Sequence, residues 1–160
     1  MCGIFGYARR TPSGMSVEAV EQRLRSLFKL SETRGKEAAG LAVFSGDRLS
    51  VYKDAISASE MLRTRDYQNF LARAFPRDAK GGLQSFAVIG HTRLVTNGSQ
   101  VVDENNQPVL RDGIALVHNG IVVNHTELWE KLGQRGRKPT ADLDSEVLAA
   151  LVEEAVTEDK

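Results

Sequence analysis

One cysteine in 160 residues, Cys2, leaves no internal disulfide to form, so any fold must rest on its apolar core. Neither charge sign is in excess, with 21 Lys plus Arg against 21 Asp plus Glu. Without a long basic run the electrostatic footprint of a nucleic-acid binder is missing. No apolar run approaches the roughly 20 residues that span a bilayer, and MCGIFGYARR has neither the basic leader nor the apolar length of a signal peptide. The expectation is a cytoplasmic chain with no membrane and no nucleic-acid partner. Three scattered histidines, His91, His118 and His125, give no metal-ligand spacing with a lone cysteine, so neither metal nor cofactor is expected. Repeats, low-complexity tracts, Gly-x-Gly-x-x-Gly and phosphate-loop patterns are all absent.

What remains is an ordinary globular composition, 41% hydrophobic and 26% charged. Its length suits one domain, 1–160, burying roughly 70% of the surface its unfolded chain exposes. Cys2 to Ala8 reads as a strand, too short and too glycine-rich for a helix. Val17, Val20, Leu24, Leu27 and Phe28 recur at helical spacing after Ser16, an N-cap candidate, predicting a helix to Leu30. Gly40 to Phe44 and Leu49 to Lys53 flank a Gly-containing turn and predict a hairpin. One helix is expected from Ser57 or Ser59 to Phe75, and buried strands at Phe86 to Gly90 and Ile114 to His118. Between those strands, Thr96 to Asp112 reads as a long polar loop suited to carry a site. Asn124 and Glu127 have capping-box spacing before a helix to Gly133, and a last helix starts near Asp144. Hairpins with helices between them argue for an α+β fold with antiparallel sheets.

Removal of Met1, usual before a small residue, places a thiol and a free α-amine together on Cys2. An amine of reference pKa about 7.7–8.0 can take the thiol proton, which is the arrangement of an N-terminal nucleophile. The plainer alternative keeps Met1 and leaves Cys2 as a small buried residue.

Five motifs occur in one order: Cys2-Gly3-Ile4-Phe5-Gly6, Arg34-Gly35-x-Glu37-x-x-Gly40, Gly90-His91-Thr92-Arg93-Leu94-Val95-Thr96-Asn97-Gly98, His118-Asn119-Gly120-Ile121 and Asp144-Ser145-Glu146-Val147. From Cys2 to Leu151 the chain resembles the class II glutamine amidotransferase domain, most closely the glutaminase domain of glucosamine-6-phosphate synthase. The resemblance implies an αββα four-layer sandwich, the N-terminal nucleophile hydrolase fold. It makes Cys2 the nucleophile, the Asn119 side-chain amide and the Gly120 backbone N–H the oxyanion donors, and Arg34 a support for the nucleophile. L-glutamine is the implied substrate. A zwitterionic amino acid needs one fixed cation and one fixed anion, and the resemblance assigns these to Arg93 for the carboxylate and Asp144 for the ammonium. Thr96 adds a hydroxyl, and Leu94 flanks the pocket. His91 and His118 read as structural, and His125 as solvated.

Leu94, Asn97 and Gln107-Pro108 depart from the sugar synthases, which usually carry Trp, His and His-Pro there. Arg-Leu with Gln-Pro looks more like asparagine synthetases and amidophosphoribosyltransferases. The acceptor, a sugar phosphate in the first reading, and self-association therefore stay open. The resemblance also implies further strands and an ammonia-accepting synthase domain or subunit outside this chain, so the domain is expected to be truncated at its C-terminus. Two other readings stand beside it, a silent glutamine-binding module and a hydrolase of another amide.

Overall fold

The computed structural model describes residues 2–10, 16–75, 83–94 and 106–158. Four antiparallel strands form the main sheet: β1 (Gly3–Arg9), β2 (Ala38–Ser45), β3 (Arg48–Asp54) and β4 (Phe86–Arg93), in the order β1-β4-β2-β3. Strand alternation divides its two faces. Leu41, Val43, Phe86 and Val88 face the helices α1 (Val17–Glu32), α2 (Ala58–Met61) and α3 (Arg65–Ala74) and share their core with Val20, Leu24 and Phe28. Phe28 packs edge-on to Phe5 at 4.7 Å between ring centres. Fully burying such a ring contributes about 2–3 kcal/mol.

The other face carries Ala42, Phe44, Ala87 and Ile89, which line a cavity of about 220 Å³ with Leu49 and with Gly113 and Ala115 of a second sheet. That sheet is the hairpin of β5 (Val109–Arg111) and β6 (Ile114–Leu116), closed by Asp112 and Gly113, both at positive φ. The helices α4 (His125–Gly133) and α5 (Glu146–Glu158) follow, with α5 packed on β5 and β6 and α4 packed on α5. The layers therefore run helices, sheet, sheet, helices, as the resemblance implies. Among the described residues no helix is long and apolar enough to cross a membrane.

In three places the local structure differs from the sequence reading. The expected single helix over 57–75 is two, because the Thr64 hydroxyl accepts from the Tyr67 N–H and starts a new helix there. The polar segment before Asp112 contains β5, and its residues 96–105 lie outside the described residues. Asn124 makes no side-chain cap, since its backbone at φ −105 and ψ 24 lies outside the extended region that N-caps adopt. Ser16 does cap α1, accepting from the Ala19 N–H.

Glu146 opens α5 almost fully buried and is matched donor for donor. Arg111 Nη1 at 2.9 Å, the Thr140 hydroxyl at 2.7 Å and the Ala141 N–H at 2.9 Å all point to it. A buried carboxylate survives only with such pairing. The consequence is that β5, the 140–141 loop and the start of α5 are tied together next to Asp144.

Candidate active site

Continuing the β1–β4 register, in which Gly3 opposes Thr92 and Ile4 opposes His91, puts Cys2 opposite Arg93 on the face toward the second sheet. The Cys2 thiol rests on the next peptide, accepting from the Leu94 N–H at 3.4 Å and lying 3.6 Å from the Leu94 carbonyl. The Cys2 backbone N–H donates to Asn119 Oδ1 at 3.1 Å. The Asn119 oxygen is the acceptor in that contact, and its amide nitrogen, Nδ2, carries two further N–H donors. Residues 2, 94 and 119, far apart in sequence, thus meet around one sulfur.

Arg93 is 4% exposed and donates to Asn106 Oδ1 at 2.8 Å. Burial pushes its guanidinium below the usual value, with Cys2 and Glu37 pulling the other way. Leu94 and Arg34 line a cleft of about 580 Å³ with Glu32, Thr33, Gly35, Lys36 and Glu37. Asp144 lies next to the Asn119–Gly120 turn, its Oδ2 accepting from the Val122 N–H at 2.6 Å. Of the eight residues singled out in the sequence, seven are described, and Thr96 lies outside the described residues.

The sequence reading assigns no site role to three residues that hold this arrangement. Asn106 takes the Arg93 guanidinium. Gln107 binds the His118 backbone on both sides, its Oε1 accepting from the N–H at 2.6 Å and its Nε2 donating to the carbonyl at 3.0 Å. Ser145 lies 3.0 Å from His118 Nδ1. The signal available for Gln107 was the Gln-Pro pair itself. Among the described residues no group of three or more His, Cys, Asp or Glu could hold a metal.

His91 is buried, and its Nε2 has no hydrogen-bond partner among the described residues. Burial, with the Arg93 charge adding to it, pushes its pKa down from 6.5 to about 4. Between those values the unfolded chain binds a proton that the folded chain refuses. Stability from this residue is therefore complete above pH 6.5 and declines toward pH 4, by on the order of 3 kcal/mol. Urea unfolding of the wild type and His91→Asn across this range should show a pH-dependent gap of that sign. Parallel curves would remove the assignment.

The glutamine amidotransferase domain model matches residues 91–159. The amidophosphoribosyltransferase of Synechococcus elongatus is 36% identical over 98% of this chain and 29% of its own length. The glutamine–fructose-6-phosphate aminotransferase (isomerizing) of Thermus thermophilus is 40% identical over 96% of this chain and 22% of its own length. Among solved structures, an allosteric regulatory enzyme of purine biosynthesis superposes with a TM-score of 0.59 at 28% identity, over 95% of this chain and 29% of that one. The glutamine phosphoribosylpyrophosphate amidotransferase of B. subtilis gives 0.56 at 27%, over 95% and 28%. The chain thus spans less than a third of the length of these relatives.

Proposed function

Since the chain belongs to the glutamine amidotransferase family, we propose that it carries out the glutaminase half-reaction, releasing ammonia from L-glutamine for an acceptor. The observation that carries this is the convergence of Cys2, Leu94 and Asn119 around one thiol. With Met1 removed, the nitrogen that meets Asn119 Oδ1 becomes an α-amine and takes the thiol proton. The thiolate attacks the side-chain carbonyl carbon, forming a C–S bond and a tetrahedral oxyanion. Asn119 Nδ2 and the Gly120 N–H stabilise that oxyanion, a role in which one donor typically accounts for about a hundred- to a thousand-fold in rate.

Collapse breaks the C–N bond, and the Cys2 ammonium gives its proton to the leaving ammonia. Water then attacks the thioester with the amine as base, releasing glutamate and restoring the thiol. Arg93 and Thr96 hold the α-carboxylate, Asp144 holds the α-ammonium, Leu94 walls the pocket and Arg34 orders the nucleophile. The ammonia acceptor is a synthase domain or subunit outside residues 1–160. Both relatives carry phosphorylated sugars in their names, which favours an acceptor of that class.

Intact mass before and after an electrophilic glutamine analogue tests this reading. The expected result is loss of Met1 and one adduct on Cys2 that excess L-glutamine prevents. A retained Met1 or an unreactive thiol would leave a glutamine-binding module without catalysis.

A further inference from the structure

One continuous hydrogen-bond chain joins the Asp144 carboxylate to the turn that carries Asn119 and Gly120. The Ser145 hydroxyl donates to Asp144 Oδ1 at 3.2 Å and meets His118 Nδ1 at 3.0 Å. With that proton given to the carboxylate, donation from Nδ1 to Ser145 Oγ is the tautomer assignment that satisfies both contacts. Ser145 is 1% exposed, leaving little room for water to take its place. At the far end the ring lies under Gly120, where an added Cβ would stand 2.8 Å from Nε2 and 3.1 Å from Cε1. The His118 backbone cannot drift to relieve that contact, because Gln107 holds its N–H and its carbonyl. Ring orientation and the path of the Gly120 backbone are therefore set together.

We infer that Ser145 and His118 are positioning residues that make the alignment of the Asn119–Gly120 oxyanion donors depend on a cation held at Asp144. This rests on the glutaminase reading. Among the described residues, the half-buried Asp144 carboxylate accepts from the Val122 N–H and from the Ser145 hydroxyl. An α-ammonium bound there pins the carboxylate, hence the Ser145 hydroxyl, hence the imidazole against Gly120. Binding energy from a part of the substrate remote from the scissile amide is thereby used in the transition state, so removal of that part lowers kcat and not only affinity.

The test compares L-glutamine with glutaric acid monoamide, which is glutamine without its α-amine, in the wild type, Ser145→Ala and Ser145→Thr. In the wild type kcat favours glutamine. In Ser145→Ala that kcat preference is expected to shrink by about tenfold, the effect of one hydrogen bond, while the KM ratio holds. Ser145→Thr keeps the hydroxyl and restores the preference. Nitrogen NMR of His118 reports the same chain, with a fixed Nδ1–H signature in the wild type and in Ser145→Thr that is lost in Ser145→Ala.

An equal fall in kcat for both substrates would make Ser145 merely structural and overturn the inference. A change confined to the KM ratio would make it a binding residue only, with the same consequence. Failure of the wild type to hydrolyse either amide, with no labelling of Cys2, is a separate result that overturns the glutaminase reading itself.

Discussion

Cys2→Ala is expected to lower glutamine hydrolysis by about 10⁴-fold or more, the scale on which a lost nucleophile acts, while leaving the fold intact. The thiol is half-buried and its contacts are weak, a 3.4 Å approach from the Leu94 N–H and a 3.6 Å approach to the Leu94 carbonyl. Removing it therefore takes little from packing. The backbone nitrogen of residue 2 still reaches Asn119 Oδ1, so the turn bearing the oxyanion donors keeps its anchor. Glutamate release should vanish and the melting temperature should stay within about 2 °C of wild type, as expected of a change worth less than 1 kcal/mol in a chain of this length. A chain made to retain Met1 separates thiol from amine. It keeps the sulfur but ties the nitrogen into a peptide bond, and hydrolysis should fail there too. Full activity with Met1 in place would show that another group takes the thiol proton.

The parts of the fold legible in the sequence were those set by one element's own pattern. The α1 stripe of Val20, Leu24 and Phe28 and the β2–β3 hairpin around its Gly-containing turn are local properties, and both stand where expected. The break at Thr64 is hidden in the sequence because the apolar spacing of Tyr67, Phe70 and Leu71 runs on past it. The strand Val109–Arg111 reads as loop because three residues carry no period, yet Asp112-Gly113 is a strong two-residue hairpin signal that places it. The motif residues could be named from resemblance, but their supports could not. That Asn106 serves Arg93 and Gln107 serves His118 depends on how two sheets stack. No local rule tells a buried amide which partner it will have.

Gly35→Ala should produce the largest loss of stability among single-methyl additions near the site. A Cβ at Gly35 would lie 2.3 Å from the Arg93 carbonyl carbon and 2.5 Å from both the Arg93 oxygen and the Leu94 nitrogen. All three atoms are backbone, so no side chain can swing aside. Neither strand of the contact is free to retreat: the Gly35 N–H donates to the Glu32 carbonyl at 3.1 Å, and the Glu37 N–H donates to the Arg93 carbonyl at 3.1 Å. Overpacking of this kind destabilises by about 3 kcal/mol, which for a chain of this length lowers the melting temperature by roughly 10 °C. The effect also reaches the chemistry, because the peptide that must move is the one on which the Cys2 thiol rests. Labelling of Cys2 should therefore slow even below the melting transition. Gly133→Ala is the matched control, since its Cβ would meet nothing within 4 Å and alanine is favoured over glycine in a helix by about 1 kcal/mol. A Gly35→Ala protein that melts within about 1 °C of wild type, well under the shift expected for 1 kcal/mol, would mean that this loop does not hold the Arg93–Leu94 peptide in place.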